Sequence, residues 1–128
     1  MRPCPCGSGK SLQQCCQPYL RGDAFAPTAA ALMRSRYSAY VLEETHYLLA
    51  TWHPDTRPQQ LQFEDGITQP KPKWIGLTIK HFLEHDDQHA EVEFIARYKI
   101  NGRAFKMHEV SQFTRIADRW FYRDGAIS

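Results

Sequence analysis

The stretch Glu91-Val92-Glu93-Phe94-Ile95-Ala96-Arg97-Tyr98-Lys99-Ile100-Asn101-Gly102-Arg103-Ala104-Phe105-Lys106-Met107-His108-Glu109-Val110-Ser111-Gln112-Phe113 alternates with a period of two on both sides of an Asn-Gly pair. Val92, Phe94, Ala96 and Tyr98 fall on one face of the first run; Phe105, Met107, Glu109, Ser111 and Phe113 share one face of the second. Asn-Gly tolerates positive φ at both central turn positions, so the pattern predicts two antiparallel strands joined by a tight hairpin. Upstream, Ile75, Leu77 and Ile79 alternate with Gly76, Thr78 and Lys80, and Asp86-Asp87 marks a turn. Downstream, Asp118 sits in a turn before a last strand over 119–124 that carries Trp120 and Tyr122. The result is a meander of four strands.

Before the strands the period is helical. Thr28 follows Pro27 as an N-cap, and Leu32, Met33, Tyr37, Tyr40 and Val41 recur at helix spacing. Glu43 and Glu44 are placed to begin a second helix with the stripe Tyr47, Leu48 and Trp52, ended by His53-Pro54. Residues 53–73 hold four prolines and read as a long connection, with an edge strand at Leu61 and Phe63 before an Asp65-Gly66 turn. Helices followed by a meander make an α+β domain, helices laid across one face of a curved antiparallel sheet. Such a sheet closed by helices forms a cone whose mouth can take a ligand.

All four cysteines lie in the first sixteen residues, within Cys4-Pro5-Cys6-Gly7-Ser8-Gly9-Lys10-Ser11-Leu12-Gln13-Gln14-Cys15-Cys16. A disulfide framework would spread its cysteines over the domain it closes, whereas adjacent pairs here would form strained rings. Four thiolates at this spacing can surround one soft tetrahedral ion, and zinc is the default. A redox-active thiol cluster and an iron–sulfur site are the alternatives. With four protein ligands no coordination position stays open, so the ion would be structural. The loop has little apolar content beyond Leu12, so metal binding would supply its folding free energy and make residues 1–20 a unit separate from residues 21–128.

This motif resembles SEC-C, the zinc-binding element at the C-terminus of the SecA translocation ATPase, in its Cys-Cys form. The remainder is similar to the YchJ-like family of small bacterial proteins. The segments that carry the likeness are Met33-Arg34-Ser35-Arg36-Tyr37-Ser38-Ala39-Tyr40, Thr51-Trp52-His53-Pro54, Ala96-Arg97-Tyr98, His108-Glu109 with Ser111 and Phe113, and Trp120-Phe121-Tyr122-Arg123-Asp124-Gly125. The resemblance implies an NTF2-like (cystatin-like) cone over residues 21–128 behind a SEC-C-like motif over residues 1–20, and no established activity. In SecA the SEC-C element contacts a chaperone, so the likeness implies an adaptor that meets a protein partner through its zinc motif. NTF2-like domains often pair through the outer sheet face, which implies a homodimer.

Composition narrows the classes without choosing among them. Sixteen Lys and Arg against fourteen Asp and Glu give a net charge of +2, too near neutrality to point to nucleic acid. The longest apolar run is Ala29–Met33, far short of the roughly 20 residues of a membrane span. No leader pattern is present, and the expected location is the cytoplasm. Three functions compete. A non-enzymatic adaptor uses the zinc motif. A small-molecule enzyme or ligand-binding protein uses the cone. A nucleic-acid or ribosome binder uses Arg2, Lys10 and Arg21 beside the motif. The only catalytic candidates are Glu109, an acid on an apolar face, and His53, at a helix end. An open cavity on the order of several hundred Å³ with Glu109 at its floor favours the enzyme, and a filled cone favours the adaptor. Arg36, Arg34 and His53 are the candidate partners of Glu109, and the expected role of this acid is a structural tie to the first helix through Arg36 and Tyr37. His81, His85 and His89 lie near an acidic hairpin tip and read as solvated, and His108 alternates to the face opposite Glu109.

Overall fold

A computed structural model describes residues 2–59 and 72–127. The helices are α1 (Gln17–Leu20), α2 (Ala29–Leu42) and α3 (Thr45–Ala50). The strands are β1 (Lys73–Asp86), β2 (His89–Ile100), β3 (Arg103–Ile116) and β4 (Arg119–Ile127), paired antiparallel in the order β1-β2-β3-β4. This is the meander that the alternation requires, with the helices packed on one face. The expected edge strand at Leu61 and Phe63 and the Asp65-Gly66 turn lie outside the described residues.

The turns form where the chemistry favours them. Asn101 and Gly102 take φ of 53° and 79°, the pair of positive values that a two-residue hairpin demands. Thr28 caps α2 by accepting the Ala31 N–H at 3.0 Å. Glu43 does not open the second helix. It takes the left-handed conformation (φ 57°, ψ 44°) and closes α2, its N–H turned back to the carbonyls of Ala39 and Tyr40. Glu44 becomes the N-cap residue of α3, with no side-chain capping bond.

Val92, Phe94, Ala96, Phe113 and Trp120 from the sheet meet Leu32, Met33, Tyr37, Tyr47 and Leu48 from the helices in one core. The expectation for β1 fails at its first residue. Trp74 pairs with Tyr98 and Gly76 with Arg97, so Ile75 is an extra residue in a bulge. Ile75 is therefore pushed outward, 48% exposed, while Trp74 turns inward against Tyr37 and Tyr98 at ring-centroid distances of 6.0 and 5.3 Å. Further register shifts fall at Ile79/His81, Glu84/Asp86 and Gln112/Phe113, interruptions of the kind that bend a strand and raise its twist.

Past α3 the chain is stitched to β4. The Tyr122 N–H donates to the Thr51 carbonyl at 2.8 Å and the His53 N–H to the Tyr122 carbonyl at 2.7 Å. Arg36 locks the same corner from within: its Nη1 donates to the Leu48 carbonyl (2.8 Å) and to Thr51 Oγ1 (2.7 Å), and its guanidinium lies 4.5 Å from the Tyr122 ring centroid. Burial pulls the Arg36 pKa down, and the phenols of Tyr40, Tyr122 and Tyr47 act against that.

Candidate metal centre and ligand cavity

The N-terminal loop folds back on itself through short-range backbone bonds. The Cys4 N–H donates to the Lys10 carbonyl at 2.9 Å and the Leu12 N–H to the Arg2 carbonyl at 2.8 Å, pairing the two arms. Gly7 and Gly9, at φ of 76° and 88°, let the chain reverse between Cys6 and Lys10. A 3-10 turn at Leu12–Gln14 then brings Cys15 round, and Cys16 stands as N-cap of α1.

The four cysteine sulfurs gather within 4.8 Å of one another. Cys6 and Cys15 stand 3.6 Å apart, and Cys15 and Cys16 3.9 Å. A tetrahedral ion with metal–sulfur bonds of about 2.3 Å would hold its sulfurs about 3.8 Å apart, so the cluster already has the dimensions of such a site. All four thiols are free, and the Ser8 hydroxyl lies 3.2 Å from the Cys15 sulfur. Hydrogen bonding with Cys16 leads the causes that hold Cys6 down at about 4, against its burial. The same bond, joined by burial, pushes Cys16 upward. A sulfur that ionises this readily is what a cation needs as ligand. The donor set can hold a metal ion.

The cluster is packed into the domain. Cys6 and Cys16 are 0% and 1% exposed and belong to the core that contains Leu32 and Tyr37. Arg34 Nη1 donates to the Cys6 carbonyl at 3.1 Å, and the Ser38 hydroxyl lies 3.5 Å from the Cys4 sulfur. Arg34, a candidate partner for Glu109 by sequence, thus serves the cysteine loop instead, and Ser38 carries no sequence signal beyond being a polar residue inside an apolar helix, where Ser35 and Ser38 are both fully buried.

A second feature lies beneath α2. A cavity of about 250 Å³ opens between α2 and the sheet, walled by Met33, Arg36, Tyr37, Tyr40, Trp74, Phe94, Ala96, Met107, Glu109, Ser111 and Tyr122. Glu109 thus faces the cone and accepts a hydrogen bond from the Ser111 hydroxyl. Among the described residues no ion pair joins it to Arg36, whose Nη1 already serves α3 and Thr51. Glu109 also helps burial push the Tyr122 phenol up to about 12. His53 is not part of the cavity wall. It is 7% exposed at the helix–strand stitch, and its Nδ1 accepts the Asp55 N–H at 3.0 Å. His108 points away from Glu109 and pairs with Glu93 at 2.6 Å. His85 and His89 pair with Glu91 and Asp86, at 2.7 and 2.9 Å.

Known proteins are similar to this chain in sequence and in fold. The chain is 47% identical to a UPF0225 protein of Ralstonia nicotianae, covering 98% of this chain and 91% of that one. It is 51% identical to a UPF0225 protein of Chromobacterium violaceum, over 98% and 93% of the two chains. The solution structure of a SEC-C motif containing protein from Rhodopseudomonas palustris superposes with a TM-score of 0.84 at 33% identity, covering 98% of each chain. The crystal structure of a SEC-C motif containing protein from Psychrobacter arcticus gives 0.76 at 29% identity, covering 98% of this chain and 82% of the other. No helix among the described residues is long and apolar enough to cross a membrane. Residues 3–18 match the SEC-C motif and residues 28–125 the middle NTF2-like domain of YchJ, and the chain belongs to that YchJ-like family.

Proposed function

We propose that the protein is a non-enzymatic small-molecule-binding protein whose four cysteines hold one structural zinc ion. The observation that carries the reading is the cavity: the cone is not filled, and its wall combines aromatic rings with Glu109, Arg36 and Ser111. A wall that is mostly apolar with a few convergent polar groups is the usual composition of a ligand site. Among the described residues that wall has one carboxylate and no histidine, which supports binding over proton-transfer chemistry. Zinc is the ion that suits four thiolates with no open position. A four-thiolate centre needs its cysteines kept reduced, which supports the cytoplasm as the proposed location.

The test is a heteronuclear NMR titration of zinc-loaded protein with benzofuran and with toluene. Shifts concentrated at Ala96, Met107, Ser111 and Tyr122 support the reading, and no saturable shift with either probe rejects it.

A second reading keeps the adaptor. The outer rim of the zinc loop, Gly7, Ser8, Gly9 and Lys10 with Arg2, is exposed and free to meet a partner. Affinity capture from lysate on zinc-loaded protein separates the cases. One dominant protein, lost on Lys10→Glu, supports the adaptor, and RNA in its place supports the nucleic-acid alternative.

A further inference from the structure

The walls of the cavity define the class of molecule that fits it, and this inference rests on the small-molecule reading above. Glu109 stands on β3 with its carboxylate against β4. A Cβ built on Gly125 would lie 2.6 Å from the Glu109 Cδ, so the carboxylate occupies room that only a glycine leaves. The fully buried Ser111 hydroxyl donates to its Oε2. The other oxygen, Oε1, accepts no hydrogen bond from the described residues and belongs to a group that lines the cavity. A half-buried carboxylate held in place on one side and open on the other selects a donor.

Charge then limits what carries that donor. Arg36, 2% exposed, contributes a cation to the same wall and is not paired with Glu109. An anionic ligand would meet Glu109, and a cationic one would meet Arg36, in surroundings where charges are poorly screened. A neutral ligand avoids both penalties. The rings of Tyr37, Tyr40 and Trp74 close one side, with Trp74 tilted or edge-on to the two tyrosines at 49° and 74°. Such walls favour a flat aromatic partner. A cavity of about 150 Å³ accepts benzene, so about 250 Å³ suits a fused two-ring molecule.

We infer that the cavity binds a flat, uncharged, fused-ring aromatic molecule through one N–H or O–H donated to Glu109, with Ser111 and Gly125 as positioning residues. Indole and benzofuran test this directly, because they share size and shape and differ at the N–H. Isothermal titration of the zinc-loaded protein with each probe should find indole about tenfold or more tighter. Glu109→Ala should abolish that preference while retaining benzofuran binding. Glu109→Gln, which keeps an acceptor, should retain part of it. Gly125→Ala should reduce the preference by displacing an otherwise intact carboxylate. Equal affinity for the two probes, or a preference that survives Glu109→Ala, overturns the inference and leaves the cavity reading standing. Binding of neither probe overturns both.

Discussion

Removing the metal should destabilise the whole domain, beyond the loop that holds it. The loop contributes Cys4, Cys6, Cys16 and Leu12 to the core, at 6%, 0%, 1% and 8% exposure, and Arg34 donates to the Cys6 carbonyl. Burying a leucine side chain is worth about 2 kcal/mol, and a cysteine about half as much as a small apolar group. With about 1 kcal/mol for the Arg34 bond, detaching the loop costs the domain about 6 kcal/mol. Chains of 128 residues have a total stability on the order of 6–19 kcal/mol, so this is a large share. At roughly 3–5 °C per kcal/mol the melting temperature should fall by about 18–30 °C. Scanning calorimetry with and without a high-affinity chelator measures it, and adding zinc back should restore the transition. A main transition displaced by less than about 3 °C would refute the reasoning and restore residues 1–20 as an independent unit.

Other outcomes follow from single contacts. Thr28→Ala removes the acceptor of the Ala31 N–H and should cost about 1 kcal/mol in urea unfolding, with Thr28→Asn near wild type. Glu109→Ala should cost less than about 1 kcal/mol, because the lost Ser111 bond is offset by release of a half-buried charge; a loss above about 2 kcal/mol would mark Glu109 as a structural tie. Tyr122 has a folded pKa of about 12 against an ordinary 10, so its stabilisation is complete below pH 10 and is lost as pH rises toward 12. Tyr122→Phe should flatten the alkaline limb of a pH-stability curve, and an unchanged limb would contradict the assignment.

Much of this architecture is legible in the amino-acid order where one local rule dominates. Val92, Phe94 and Ala96 alternate because one sheet face is buried, and Asn101-Gly102 marks its own turn. The cysteine spacing marks the four sulfurs that gather within 4.8 Å of one another. Reading fails where a tertiary demand overrides the local one. The bulge at Ile75 is invisible to alternation, since one extra residue exchanges the faces and only the packing of Trp74 on Tyr37 reveals which phase applies. Glu43 in the left-handed region defies its propensity, because α2 must stop where α3 turns back over it. Arg36 reads as a counter-ion for Glu109, yet the Leu48 carbonyl of α3 and the Thr51 hydroxyl claim it. The docking of the cysteine loop on Arg34 and Ser38 depends on residues about thirty positions apart, which no local pattern relates.

The most direct test of the metal centre is zinc content. Protein purified without chelator should carry one zinc per chain by elemental analysis and native mass spectrometry. Cys6→Ser and Cys15→Ser should lose most of it. Zinc content in Cys15→Ser equal to that of the wild type would contradict a centre built from Cys4, Cys6, Cys15 and Cys16.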